Sequence, residues 1–132
     1  MYSKRLAGWT IAETLVGMAI VFTLTGTVGF LGAQQIERAR VTAAVSQVKI
    51  LEIALESYAL DTGDYPTREQ GLDALYTAPV LAPLPRGWNG PYLQKPPGTD
   101  PWGGTYRYNR PGPDGLPYQV TYEGKSAGGS RD

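Results

Sequence analysis

The sequence predicts an α+β fold: a long N-terminal helix, a short second helix and a small C-terminal antiparallel sheet. Three observations predict it. All 11 prolines fall at or after Pro66, so the first half contains no helix breaker. That half is first apolar throughout and then apolar on one stripe. The second half is rich in glycine, proline and tyrosine, with two short runs, Thr105–Asn109 and Tyr118–Tyr122, that alternate tyrosine with polar residues.

The first element begins after a short basic leader, residues 1–8, containing Lys4 and Arg5. The stretch from Thr14 to Ile36 carries no charge, about the length a helix needs to cross the hydrocarbon core. Glu13 stands at its leading edge. A secretory signal places its small-residue cleavage site after the apolar region. Here the only suitable site, Gly8–Trp9, precedes it, so cleavage would leave residues 9–36 on the mature chain as a membrane segment. Basic residues flank both sides, Lys4 and Arg5 before and Arg38 and Arg40 after. The first segment usually sets orientation, which favours a cytoplasmic N-terminus. Gly26, Gly29 and Gly32 within the segment read either as ordinary membrane-helix composition or as a smooth, easily unwound stretch.

The helical pattern then continues. Val41, Val45, Val48, Leu51, Leu55 and Tyr58 recur at steps of four and three, and Ile50, Ile53 and Leu60 widen the apolar surface. One helix from about Thr10 to Leu60 follows, with its later half packed on a domain over residues 37–123. Gly63 suits a C-terminal cap and Pro66 prevents resumption. Thr67 and Gln70 have capping-box spacing and predict a short helix through Tyr76 that buries Leu72 and Leu75. Pro79, Pro83 and Pro85 impose an extended loop. Strand candidates are Tyr92–Leu93, Thr105–Asn109 and Tyr118–Tyr122, the last two joined by the turn-rich Arg110–Gly115. Residues 124–132 read as a flexible tail.

Composition limits the chemistry. There is no cysteine and no histidine, which excludes disulfides, Ser-His-Asp and Cys-His triads and thiolate metal sites. Formal charge is zero, and loss of Lys4 and Arg5 with a leader leaves ten basic against twelve acidic residues. No concentrated basic face is expected, which argues against a nucleic-acid binder. Asp61 and Asp64 fall in the helix-ending turn and read as local hydrogen-bond acceptors. Asp100, Asp114 and Glu123 lack EF-hand spacing. Trp88, Tyr92, Trp102, Tyr106, Tyr108, Tyr118 and Tyr122 read as core rather than as a ligand groove. The chain is not expected to be an enzyme, and no cofactor is implied. Glu13 is the residue that asks for a role: a new ammonium on Trp9 would lie four residues away, placed to pair with Glu13 of a neighbouring copy.

Gly8-Trp9-Thr10-Ile11-Ala12-Glu13 resembles the class III signal of type IV pilins and type II secretion pseudopilins. Leu55-Glu56-Ser57-Tyr58, Asp61–Thr67, Gln70–Leu75, Trp88–Lys95, Asp100-Pro101-Trp102-Gly103 and Tyr106-Arg107-Tyr108 are similar to the major, G-type pseudopilins among them. The resemblance implies the type IV pilin-like fold and a structural role in a periplasmic pseudopilus that drives proteins across the outer membrane. It implies peptidase cleavage after Gly8, methylation at Trp9, an assembly role for Glu13, and structural roles for Pro66 and for Asp100, Pro101, Trp102 and Gly103. Implied partners are further copies of the chain, minor pseudopilins, prepilin peptidase, the inner-membrane assembly platform and the secretin. The chain departs from the family at Trp9, where phenylalanine is usual, and at Phe30, where proline is frequent. It also departs at Ser126, where the family carries an acid of its calcium loop, so no metal is expected. The alternatives are a subunit of a type IV pilus or related filament, and a signal-anchored periplasmic binding module using the tyrosine-rich sheet.

Overall fold

The computed structural model of the chain describes residues 10–124. The chain divides into two compact units, Met1–Arg38 and Ala39–Asp132. Helix α1, Ile11–Thr62, supplies the described part of the first and the spine of the second.

In the first unit α1 starts at Thr10, whose hydroxyl accepts a hydrogen bond from the Glu13 amide at 3.2 Å. Its described side chains are exposed, including Ile11 at 82% and Phe22 at 76%. An 18-residue window of α1 reaches a mean hydropathy of 1.9, long and apolar enough to cross a membrane. A Cβ built on Gly26, Gly29 or Gly32 would meet nothing within 4 Å, so these glycines answer no packing demand inside the chain. The threonines turn inward on the helix. Thr14, Thr23, Thr25 and Thr27 each donate a hydroxyl to the carbonyl four residues back, at 3.3, 2.8, 2.8 and 3.0 Å.

In the second unit only one stripe of α1 is buried. Ala44, Leu51, Ala54, Leu55 and Tyr58 face the core, with Val48 half-buried beside them. Leu51, Leu55 and Tyr58 are expected core residues, but Val41 and Val45 are exposed. Ile50, Ile53 and Leu60 do not widen the packed face either; they lie on the solvent side. The reason is the thinness of the partner layer. Two three-residue strands and loops cover a single helical stripe.

α1 runs two residues past the expected Leu60. It ends where Gly63 takes φ +88°, its amide donating to the Ala59 carbonyl at 2.8 Å. The Thr67–Gln70 box forms in both directions, at 3.0 and 3.2 Å, yet no α-helix follows it. Gly71 at φ +63° breaks the path, and only a 3₁₀ turn, Leu72–Leu75, remains. Leu72 and Leu75 are buried as expected.

The sheet is smaller than the sequence predicts. β1, Arg107–Asn109, pairs antiparallel with β2, Gln119–Thr121, with Tyr108 opposite Val120. Both of that pair are buried, and both flank the core built on Leu51, Leu55 and Tyr58. Tyr92–Leu93 is not a strand: the Tyr92 amide instead donates to the Leu75 carbonyl at 2.8 Å. A single bridge, Thr99 to Thr105, extends the pairing beyond β1. A long helix with a small antiparallel sheet is the expected α+β class.

Candidate functional site

Of the residues singled out at the N-terminus, Gly8 and Trp9 lie outside the described residues, as do the leader and residues 125–132 with Ser126. Glu13 is described. It occupies the first turn of α1, exposed, its amide held by Thr10. A carboxylate there is favoured by the partial positive charge of the helix start. Val16, three residues on along the same face, is an exposed aliphatic, and Glu13 is the single acid among the described residues up to Ile36.

Two carboxylates anchor the second unit. Asp64 accepts locally, from the Tyr65 amide at 2.8 Å, as the turn reading expects. Both its oxygens also accept from a single nitrogen of a distant guanidinium, Arg110 Nη2, at 2.6 and 2.7 Å. Arg110 Nη1 donates to the Tyr65 carbonyl as well. Hydrogen bonding from Arg110 holds the Asp64 carboxyl below its usual range. Beside this pair Pro66 is fully buried, and its carbonyl accepts the Tyr108 hydroxyl at 2.8 Å. Burial pushes the Tyr108 hydroxyl up to about 12. Thus the turn that ends α1 is held by two residues of the β1 region. Asp61 takes part too, accepting the Tyr92 hydroxyl at 2.8 Å.

Asp100 is the second anchor and is buried at 4% exposure. One oxygen accepts the amides of Trp102 and Gly104 at 2.9 and 2.8 Å. The other accepts those of Glu123 and Gly124 at 2.9 and 3.3 Å. Burial raises its pKa, but these amides outweigh it and hold the carboxyl below the usual carboxylate range. One side chain therefore closes its own loop and fastens that loop to the chain leaving β2.

The neighbouring residues serve that arrangement. Pro101 occupies the position after Asp100 in the turn, and Gly103 takes φ +89°. Trp102 stacks on Tyr122 at 5.6 Å and 5°. A Cβ on Gly124 would lie 1.8 Å from the Trp102 ring, so only glycine fits under it. In the Asp-Pro-Trp-Gly block the carboxylate thus latches its own loop to the residues after β2.

Three contacts carry no sequence signal: Arg110 on Asp64, Tyr108 on Pro66, and Gln70 on the loop. Gln70 Nε2 reaches the carbonyls of Leu81 and Pro83 at 2.8 and 2.9 Å. The aromatics are mixed: Tyr108 is buried in the core, while Trp88, Tyr92, Tyr106 and Tyr118 pack partly buried against it. Among the described residues no group of three or more His, Cys, Asp or Glu side chains is placed to hold a metal. Glu123, the other acid at the end of β2, pairs with Arg107. The arrangement can hold a small domain on a helix and present surfaces; among the described residues it assembles no acid–base pair around a reacting centre.

A family model described as "Type II secretion system (T2SS), protein G" matches residues 32–131. The type II secretion system core protein G of Pseudomonas aeruginosa is 36% identical over 135 aligned positions, covering 100% of this chain and 94% of that protein. The protein of the same name from Aeromonas hydrophila is 41% identical, with 85% of this chain and 78% of that protein covered. Among solved structures, the major pseudopilin from the type 2 secretion system of enterohaemorrhagic Escherichia coli matches at 40% identity and a TM-score of 0.55. That match spans 58% of this chain and 65% of that one.

Proposed function

The chain belongs to the protein G family of type II secretion systems, and from that premise we propose how its parts divide the work of a pseudopilus subunit. It is a structural, polymerising member of the secretion machinery and not an enzyme. Its apolar N-terminal helix suits it to membrane anchoring. In our reading residues 1–8 are a leader removed after Gly8 by prepilin peptidase, with methylation at Trp9. Residues 9–36 hold the subunit in the inner membrane and later pack in the filament. Residues 37–123 form the periplasmic domain. The filament grows from the inner-membrane platform, includes minor pseudopilins, and moves proteins toward the secretin.

The observation that carries the assembly step is Glu13: a lone exposed carboxylate in the first turn of an otherwise apolar helix surface. Pairing it with the Trp9 ammonium of the next subunit removes both charges from apolar surroundings at once. Glu13→Gln keeps the size and removes the charge. The expected product is cleaved and membrane-inserted, with filament yield reduced on the order of 100-fold, since an unpaired buried charge remains at each contact. Intact mass, membrane fractionation and electron microscopy of sheared filaments read the three steps separately. Normal filaments from Glu13→Gln sink the pairing.

We also infer that the domain works without calcium. Supporting this are Ser126 at the family's acidic position, Asp100 already surrounded by amide donors, and Glu123 paired with Arg107. A ligand that binds the native state alone raises its melting temperature. Millimolar calcium is expected to leave the melting temperature unchanged; a rise reversed by chelator overturns the inference.

A further inference from the structure

Two apolar features of the second unit face water without an internal reason. The first is on α1. Ser46, Lys49, Ile53, Ser57 and Leu60 follow one another at steps of three and four, along the side of the helix away from Leu51, Leu55 and Tyr58. On that solvent side stand Ile53 at 67% exposure, mid-row, and Leu60 at 86%, at its end. The second feature is a recess of about 210 Å³ formed where the 3₁₀ turn runs into the proline-rich loop. Ala74, Thr77, Pro79, Val80 and Leu81 line it, with Asp73 in its wall. Val80 at its edge is 88% exposed.

The loop does not present these side chains by accident of slackness. Gln70 fastens it from beneath through the carbonyls of Leu81 and Pro83, and Pro79 and Pro83 restrict its backbone. A surface already held in shape loses little entropy on docking. Charge matches as well as shape. Lys49 lies one turn before Ile53 on the helix side, and Asp73 lies in the recess; neither side chain has an ionic partner among the described residues.

We propose that the recess of one subunit receives Ile53 of the next, with Leu60 against Val80 and Leu81 and with Lys49 facing Asp73. The occupant is a second copy of this chain. Two different surfaces of one chain that fit each other make a head-to-tail contact, which builds a ring or, as in the filament reading, an open helical array, and not a two-fold dimer. The inference rests on the filament reading above and adds to it a specific contact between the domains.

The chain contains no cysteine, so introduced pairs report without background. Full-length chain carrying both Leu60→Cys and Val80→Cys, assembled into filaments and oxidised, is expected to run as a ladder of covalent oligomers. Each single variant is expected to stay monomeric. Wild-type filaments with no ladder from the double variant overturn the contact and leave the filament reading standing. Dimers from a single variant also overturn it, because they require a symmetric interface. If the double-cysteine chain assembles poorly, the charges decide. Lys49→Asp and Asp73→Lys should each lower filament yield about fivefold, and together restore it to within about twofold; failure to restore overturns the proposal. Absence of filaments from the wild type under secretion-competent conditions defeats the filament reading, and this contact with it.

Discussion

Asp64 and Asp100 do the same task by opposite means. Each fastens a turn to a segment far along the chain. Asp64 lies at the surface, with its side chain 68% exposed, and is matched by a full positive charge on Arg110. Asp100 is buried, and its hydrogen-bond donors are four main-chain amides. The difference shows where a small domain with a two-stranded sheet finds its rigidity. Water and salt compete for the exposed pair, so its net value is about 0–1 kcal/mol. Little water reaches the buried carboxylate, and removing it takes the acceptor from four amides at once.

The comparison breaks most visibly at Asp100. Asp100→Asn keeps the shape but turns an acceptor oxygen into an NH₂ group facing two amide donors. The melting temperature is expected to fall on the order of 10 °C, with loss of the Trp102 and Tyr122 environment in near-ultraviolet circular dichroism. A shift no larger than that of Asp64→Asn would place the latch on the same footing as the surface pair.

Acid sharpens the contrast. Both carboxyls are held below their usual range in the folded chain. A depressed folded pKa gives stability that is present above the unfolded value of about 3.9 and is lost as pH falls below it. The wild type should therefore hold its melting temperature from neutral pH to about 5 and decline below about 4. In Asp100→Asn that acid-side decline should be shallower, because one of the depressed groups is gone. An unchanged slope would mean that Asp100 does not contribute to it.

The smallest expected effect belongs to Asp64. Asp64→Asn should cost about 0.5–1 kcal/mol at low salt, and the difference from wild type should shrink in 1 M salt as screening removes the pair. A salt-independent penalty of several kcal/mol would show that Asp64 holds the turn by more than a screened ion pair, its bond from the Tyr65 amide included.

The sequence and the structure agree where a rule is local. Leu51, Leu55 and Tyr58 were legible because three- and four-residue spacing brings side chains to one helix face. The Thr67–Gln70 box was legible because its partners are three residues apart. The helix expected after it was not formed, because Gly71 adopts a positive φ that no spacing rule announces. Tyr92–Leu93 read as a strand on residue type alone, but the Tyr92 amide is taken by the Leu75 carbonyl of the 3₁₀ turn. Val41, Val45, Ile50, Ile53 and Leu60 read as core because hydrophobicity says that a residue prefers to be covered and not what covers it. Asp100 stood out as part of a motif, yet its reason lies with amides at Glu123 and Gly124. Arg110 and Asp64 meet across 46 positions, and no pattern along the chain links them.

The inward-turned threonines of α1 bear on how this chain enters a bilayer. A hydroxyl carried into hydrocarbon ordinarily brings water with it or leaves a donor unanswered. Thr23, Thr25 and Thr27 each give that donor to a carbonyl of the preceding turn, so the helix meets their need from its own backbone. To surrounding lipid, such a side chain shows chiefly its methyl group. A span whose residue list contains several alcohols therefore partitions more like a valine-rich one, and it can leave the lipid sideways for a protein neighbour without first being dehydrated.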